Sequence, residues 1–174
     1  MTTLLAPTKP NTKGDIVVGV ADIAVTDDPA ARLVTYALGS CIGVTIYDAE
    51  ACVGGMLHFM LPQAKACPGR AESRPAMFGD TGIPMLFDAL EDLGARRDRM
   101  TVCAAGGAEI IADNGHFKVG ARNRTLLRKL FWKNNILLSG EETGGTLSRT
   151  LFMRMSCGTV AIRNKSEERT LWTA

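Results

Sequence analysis

Cys41 and His58 carry the side chains of a nucleophile and its base. Cys41 directly follows Gly39-Ser40, and His58 is one of only two histidines in the 174-residue chain. A cysteine becomes reactive when a nearby imidazole or backbone dipole stabilises its thiolate. Gly39 and Ser40 permit a tight backbone approach, which would leave N–H groups free to stabilise an oxyanion. These four residues predict nucleophilic catalysis.

The chain between Cys41 and His58 is expected to form a β-hairpin. Apolar residues alternate with small or polar ones over residues 42–47, and a second apolar run begins near Cys52, a pattern typical of strands. A turn formed by the middle two residues of the segment 48–51, or a loop of all four, places Cys41 directly opposite His58. Opposed residues have Cβ atoms about 4.5–5.5 Å apart, so imidazole and thiol could meet. A three-residue loop would turn His58 to the other face.

Other chemistries are weaker alternatives at this point. His116, in a turn-like polar stretch, is a second candidate base, although a surface position is expected for it. Structural zinc sites usually show paired ligands at short spacing, and the sequence has no Cys-x-x-Cys pair. The glycine pairs 106–107 and 144–145 lack a phosphate-loop pattern and are expected to be turns or close-packing points. We therefore predict neither a metal nor a cofactor.

Composition is that of an ordinary globular protein. The chain is 46% hydrophobic and 22% charged, with a net charge of +2, which gives no reason to expect nucleic acid or an anionic membrane as a partner. The longest apolar runs are shorter than the roughly 20 residues that span a bilayer, and no signal peptide is expected. Five cysteines, odd in number and widely spread, are typical of a reducing compartment. The cytoplasm is the expected location.

Strands and helices predict how the two candidate residues are positioned. A flexible segment 1–14 is expected to precede one catalytic domain, 15–164, and a solvated tail, 165–174. Further strands are predicted at 16–21, 33–37, 100–105, 136–138, 150–155 and 159–163. Strands dominate both ends with strand–helix units between them, so the fold class is an α/β sandwich with mixed β-sheets flanked by helices.

Two helices and one long loop complete the prediction. The first helix is expected to begin at Asp80 or Thr81 and to end at Gly94, with Leu93 on its buried stripe. The second is expected to cover residues 123–133, with Arg124 on its solvent face. A surface loop is predicted at 63–77, close enough to His58 to border the site.

Several blocks of the sequence resemble one known family. The specific ones are Leu-Gly-Ser-Cys at 38–41 and Gly-Gly-Met-Leu-His-Phe-Met-Leu-Pro at 54–62. Weaker blocks follow in the family's order at 106–108, 119–123 and 144–149. Together they span about residues 17–162 and resemble the CheD family, the chemoreceptor glutamine deamidases of bacterial and archaeal chemotaxis. Departures from the family's pattern occur at 78–82 and at Ala105, and they concern packing or partner surfaces.

The resemblance implies a site, a fold and partners. The family's Cys–His–Thr triad carries over to Cys41, His58 and Thr35, and its αβ-sandwich is similar to that of the cytotoxic necrotizing factor toxins, which are cysteine deamidases. Its substrates are glutamines of methyl-accepting chemoreceptors, which become glutamates, and some members also cleave receptor methyl esters. A known partner of the family is the CheY-phosphate phosphatase CheC. No cofactor is implied.

The implied mechanism is acyl transfer through a thioester. His58 would take the proton of Cys41, the thiolate would attack the glutamine carboxamide, and N–H groups near Ser40 and Cys41 would stabilise the oxyanion. Thr35 would orient the imidazole. Two other hypotheses stay open: a chemotaxis interaction module that binds a CheC-type phosphatase or a receptor with little catalysis, and a cysteine hydrolase acting on another substrate.

Overall fold

Ten strands in two sheets, together with three α-helices, account for most of the residues that the computed structural model describes, which are 14–109, 118–165 and 167–174. The strands are β1 (Asp15–Val17), β2 (Asp22–Thr26), β3 (Arg32–Leu38), β4 (Ile42–Asp48), β5 (Val53–Phe59), β6 (Thr101–Gly106), β7 (Leu138–Thr143), β8 (Arg149–Arg154), β9 (Val160–Asn164) and β10 (Glu167–Trp172). The helices are α1 (Pro68–Ser73), α2 (Gly79–Asp92) and α3 (Val119–Lys133), and short 3-10 turns cover Ala64–Ala66 and Pro75–Met77.

Both sheets mix parallel and antiparallel pairs. The first sheet has the strand order β1-β3-β8-β9-β10 and the second has the order β2-β5-β4-β6-β7. In each sheet one edge pair is parallel, β1 with β3 and β6 with β7, and the other pairs are antiparallel. The predicted fold class, an α/β sandwich with mixed sheets, is confirmed, and the strands predicted at 150–155 and 159–163 form as β8 and β9 and pair with each other.

The structure has three layers, namely the first sheet, the second sheet and the helices α2 and α3, with one apolar core between each neighbouring pair. Because side chains alternate along a strand, β4 and β5 direct one set toward the first sheet and the other set toward the helices. Leu33 and Met56 belong to the core between the sheets, whereas Leu57, Leu86 and Leu127 belong to the core under α2 and α3. All residues of β4 and β5 are buried, so packing on both faces holds any functional residue that they carry.

The central hairpin has a different register from the predicted one. Gly43, not Cys41, lies opposite His58, and the two strands are joined by the four residues 49–52. The predicted pairing of Cys41 with His58 is therefore wrong by two residues. Because a shift of two preserves the face, Cys41 still lies on the His58 side of the sheet, diagonally displaced.

Asp48 causes this shift. Its Oδ1 accepts the N–H of Glu50 at 3.0 Å and that of Ala51 at 3.2 Å, which keeps Asp48 in the strand and starts the turn after it. Cys52 then completes the turn in the left-handed region, with φ of +55°. The loop therefore lies one residue later than the sequence pattern indicates.

Four further segments differ from the prediction. Of the predicted strand 16–21, only residues 16 and 17 lie in a strand, β1, and β2 begins after it at Asp22. The chain crosses between the sheets at residues 18–21, where the N–H of Ala21 donates to a carbonyl of β5. The predicted loop 63–77 contains α1 and both 3-10 turns. The strand predicted at 136–138 begins two residues later, as β7, and extends to Thr143. Residues 167–172 of the predicted tail pair with β9 as strand β10, although most of their side chains are exposed.

The helices begin earlier than predicted. α2 starts at Gly79, and Leu93, which was predicted on its buried stripe, lies beyond its last residue and is 42% exposed. α3 starts at Val119, and Arg124, which was predicted on the solvent face, is partly buried and donates to a backbone carbonyl. No helix within the described ranges is both long enough and apolar enough to cross a membrane. The predicted flexible segment 1–14, apart from its last residue, lies outside the described residues.

Asp48 also carries a buried charge. Its Oδ2 lies 2.7 Å from Arg99 Nη2 and accepts the Arg96 N–H at 2.9 Å, and its side chain is fully buried. Burial alone would raise the pKa of Asp48, but the hydrogen bonds from Arg96 and Arg99 outweigh it and hold this pKa below its usual value. The carboxylate therefore stays charged and organises both the turn and the segment that leads to β6.

We expect Asp48→Ala to lower the free energy of unfolding by about 3 kcal/mol, because it removes the buried carboxylate that accepts the N–H groups of Glu50, Ala51 and Arg96 and leaves buried donors without their partner. Urea denaturation at neutral pH measures this change. Asp98→Ala is the matched control, because Asp98 pairs with Arg96 at the surface and such pairs contribute about 0–1 kcal/mol. Equal losses in the two variants would contradict the role given to Asp48.

Candidate active site

Thr35 and His58 meet in the interior between the two sheets. Thr35 lies on β3 of the first sheet and His58 on β5 of the second, and their relative exposures are 0% and 1%. Thr35 Oγ1 is 2.7 Å from His58 Nδ1. The structure thus brings together two of the three residues that the family resemblance selected.

The hydrogen bonds of Thr35 determine which nitrogen of His58 carries the proton. Thr35 Oγ1 donates to the carbonyl of Val18 at 2.7 Å, and a hydroxyl has only one proton to donate. It therefore accepts from His58 Nδ1–H, which leaves Nε2 as the basic nitrogen. Nε2 is buried and has no hydrogen-bond partner among the described residues. A neutral imidazole with a free Nε2 is the form that a general base requires.

Burial keeps both candidate catalytic groups uncharged. Burial lowers the pKa of His58 to about 4, so the imidazole is neutral at pH 7. Burial also raises the pKa of the Cys41 thiol, although the N–H of the same residue acts in the opposite direction. The resting pair is therefore a thiol and a neutral imidazole, and the proton must move when the thiol attacks.

Cys41 lies immediately before β4, partly exposed, on the same face as His58. Gly43 separates them diagonally, and a Cβ on Gly43 would lie 2.8 Å from a methyl group of Leu151 and 2.9 Å from one of Leu38. Because Gly43 has no side chain, no β4 side chain stands opposite the imidazole. The Cα atoms of diagonal neighbours of this kind lie about 7–8 Å apart, and their Cβ atoms are somewhat closer. The structure thus places Cys41 beside the His58–Thr35 pair, without a hydrogen bond from the thiol to Nε2.

The Gly39–Ser40 step offers fewer free N–H groups than expected. The N–H of Gly39 donates to the carbonyl of Ala37 at 2.8 Å, in a tight turn in which Ala37 has φ of +56°. Outside the sheet ladders, neither Ser40 nor Cys41 donates its N–H to another backbone carbonyl of the described residues. The N–H groups of Ser40 and Cys41 are therefore the candidate oxyanion donors, whereas Gly39 contributes its turn.

A strip of backbone at the end of β6, residues 106–108, holds the Cys41 loop, residues 39–41. The N–H of Gly107 donates to the carbonyl of Cys41 and that of Ala108 to the carbonyl of Gly39, both at 2.7 Å. Gly106 has φ of +111°, and a Cβ there would lie 2.2 Å from the carbonyl oxygen of Cys41. Only glycine permits this approach. The prediction that residues 106–107 are a close-packing point is confirmed.

Sequence reasoning gave Asn123 no role, yet it reaches this site. Asn123 is fully buried, and its Nδ2 donates to the carbonyls of Ser40 and Met60, both at 2.9 Å. One signal could have revealed it. Asn123 shares the apolar stripe of α3 with Leu127 and Phe131, and a polar side chain buried at such a position requires hydrogen-bond partners.

The remaining candidates of the sequence analysis add no further group to the site among the described residues. His116, the alternative base, lies outside the described residues. All five cysteines are free. Within the parts of the chain that the structure describes, no group of three or more His, Cys, Asp or Glu side chains is arranged to hold a metal ion.

Fold and site together define a mixed α/β sandwich protein with a buried histidine–threonine pair beside a partly exposed cysteine. The chain matches the family model described as "CheD chemotactic sensory transduction" over residues 60–164. A relative from Syntrophus aciditrophicus, named "Probable chemoreceptor glutamine deamidase CheD 1", is 46% identical over 151 residues, 87% of this chain and 94% of the relative. The chain belongs to the CheD family.

Two further organisms carry similar proteins. A relative named "Probable chemoreceptor glutamine deamidase CheD" from Solibacter usitatus is 46% identical over 156 residues, 90% of this chain and 92% of the relative. One of the same name from Thermococcus kodakarensis is 36% identical over 154 residues, 87% of this chain and 94% of the relative. Matches of this length necessarily include the segment from Thr35 to His58, which precedes the range of the family model.

The low pKa of His58 predicts a pH-dependent stability. Between the ordinary value of 6.5 and the folded value of about 4, the unfolded chain binds a proton that the folded chain does not. The contribution of His58 to the free energy of unfolding is therefore fully present above pH 6.5. It is lost as the pH falls toward 4, by about 3 kcal/mol in total. We expect urea denaturation at several pH values to show this loss in the wild type and in His116→Gln, but not in His58→Gln. Parallel pH profiles for all three proteins would contradict it.

The tautomer of His58 can be tested separately by 15N NMR of the imidazoles, because the chain has only two histidines. We expect Nδ1 to be protonated and Nε2 to be unprotonated at pH 7. Thr35→Val removes the acceptor and should release this preference, whereas Thr35→Ser should preserve it. A wild-type His58 protonated at Nε2 would contradict the hydrogen-bond assignment.

Proposed function

We propose that the protein is a protein-glutamine deamidase that converts glutamines of chemoreceptors to glutamates, with Cys41 as the nucleophile. The observation that carries the proposal is the Thr35–His58 hydrogen bond, which leaves the free Nε2 on the face that holds Cys41. The substrate class follows from the names of the relatives, which are chemoreceptor glutamine deamidases.

The first half-reaction forms a thioester. His58 Nε2 takes the proton of the Cys41 thiol as the sulfur attacks the carboxamide carbon of the substrate. The N–H groups of Ser40 and Cys41 stabilise the tetrahedral oxyanion, and one such donor is worth about 10²–10³ in kcat in a well-studied protease. The imidazolium then returns its proton to the leaving nitrogen. The C–N bond breaks and ammonia departs, which leaves the glutamyl group on sulfur.

The second half-reaction releases glutamate. A water molecule enters, His58 takes one of its protons, and the resulting hydroxide attacks the thioester carbonyl. The C–S bond then breaks, the thiolate recovers the proton from the imidazolium, and the resting pair is restored. Thr35 holds the Nδ1–H tautomer throughout, because its own proton is committed to Val18. The same two steps would cleave a receptor methyl ester, with methanol as the leaving group.

Substrates and partners of this reaction follow from the same proposal. Five free cysteines are compatible with a reducing compartment, so we place the reaction in the cytoplasm, on the cytoplasmic helices of the receptors. A CheC-type phosphatase is the partner that the family resemblance implies. The alternative hypothesis, an interaction module with little catalysis, gives no reason for a histidine with a fixed tautomer and a free Nε2.

The test is peptide mass spectrometry of a chemoreceptor cytoplasmic fragment after incubation with the protein. We expect defined glutamines to gain the small mass that results from replacing NH₂ by OH, with wild type but not with Cys41→Ala. Cys157→Ala is the matched control, because Cys157 is exposed and its Sγ contacts Thr159, away from His58. It should react like wild type.

Two outcomes would contradict the proposal. Deamidation that persists in Cys41→Ala would exclude the cysteine as the nucleophile. Tight binding to a receptor fragment without any mass change would favour the interaction module. A methylated fragment, incubated in parallel, reports the ester reaction through loss of the methyl group.

A further inference from the structure

Asn123 links the two segments that carry the candidate catalytic residues. It lies in α3, and its side-chain amide reaches across to the carbonyl that precedes Cys41 and to the carbonyl of Met60, just beyond the strand that carries His58. Both N···O distances are 2.9 Å. Because both partners are carbonyls, both bonds require the NH₂ group, so the orientation of the amide is not ambiguous.

The bond to Ser40 also fixes an N–H group. The carbonyl of Ser40 and the N–H of Cys41 belong to one planar trans peptide and therefore point in opposite directions. Asn123 occupies the carbonyl side, so the N–H of Cys41 points away from it. That N–H lies by the Cys41 sulfur and favours the thiolate. Asn123 thereby sets the direction of an N–H group that we assign to the oxyanion.

α3 can approach the site closely enough for this contact because residue 120 is glycine. A Cβ on Gly120 would lie 2.3 Å from the carbonyl oxygen of Ala108 and 2.7 Å from that of Gly107. The first turn of α3 therefore packs directly on the backbone strip that holds the Cys41 loop. Asn123, at the next turn, is carried into the layer between this strip and the end of β5.

A packing role alone does not account for asparagine. The neighbouring positions on this stripe are Leu127 and Phe131, both buried, and Asn123 Oδ1 is buried without a partner among the described residues. A buried acceptor without a partner is destabilising. An apolar side chain of the same size would avoid this cost but would make neither hydrogen bond.

We propose that Asn123 is a positioning residue for acyl transfer: its amide fixes the Ser40–Cys41 peptide and holds the Cys41 loop against the His58 segment. The inference rests on the proposed function. Asn123 does not touch the reacting atoms, so it acts through the N–H and sulfur of Cys41. Its loss should therefore lower kcat and leave KM nearly unchanged.

A graded series of variants tests this role with the receptor fragment as substrate. Asn123→Leu keeps the size and removes both donors, whereas Asn123→Ser retains one. We expect kcat to fall by about 100-fold in Asn123→Leu, the loss typical of a small misplacement of catalytic groups, with an intermediate value for Asn123→Ser. KM should stay within about threefold, because the change affects bond-making more than substrate binding.

Asn134→Ala is the matched control. Asn134 follows the last residue of the same helix and donates from Nδ2 to the carbonyl of Leu130 at 2.7 Å, in an exposed position. It should retain wild-type kcat. Urea denaturation of each variant separates folding from catalysis. A folded Asn123→Leu with wild-type kcat would overturn the proposal, and so would failure of both Asn123 variants to fold, since that result makes the residue structural.

A second readout needs no receptor. Alkylation of Cys41 by iodoacetamide at a fixed pH, followed by peptide mass spectrometry, should slow by about tenfold in Asn123→Leu, which corresponds to a rise of about one unit in the thiol pKa. Exposed Cys157 is the internal reference and should not change. If wild type modifies no receptor, the proposed function fails, yet the alkylation rates still decide the role of Asn123. Equal rates at Cys41 in both proteins would overturn it.

Discussion

The committed proton of one hydroxyl group determines the chemistry that this site can perform. Thr35 donates to the carbonyl of Val18, so it can only accept from His58. The consequence reaches across the ring, because protonation of Nδ1 leaves the lone pair on Nε2, on the face of Cys41. The threonine thus acts as a fixed, uncharged acceptor. His58 is therefore held between the sheets as a neutral base that needs no charged partner.

This interaction requires the sandwich. Thr35 belongs to one sheet and His58 to the other, so the distance between the sheets sets the length of their hydrogen bond. Gly43 provides the matching space, since any Cβ opposite the imidazole would meet Leu38 and Leu151. The arrangement is held by packing on both faces of β5, which explains why a buried histidine with a free nitrogen can persist in the apolar core.

The sequence could predict only part of this arrangement, for physical reasons. The strand pattern placed Cys41 and His58 on one face correctly, but their register depends on side-chain hydrogen bonds of Asp48, which alternation does not reveal. Thr35 followed only from the family resemblance, because its acceptor, Val18, lies in another part of the chain. Asn123 was overlooked because the helix was predicted to begin there, where a polar residue is unremarkable, whereas α3 starts at Val119.

A neutral resting pair has a further chemical consequence. Oxidation of a cysteine depends on its thiolate fraction, and burial keeps that fraction low at Cys41. The sulfur is therefore protected from oxidation until the substrate is bound and the sulfur can attack its carbonyl carbon. At that point negative charge develops on sulfur and then on the oxyanion, and fixed N–H groups cost no reorganisation to stabilise it. A site of this kind depends more on the fixed direction of its dipoles than on a preformed ion pair, which is why a buried amide that orients one peptide unit has a direct influence on the reaction.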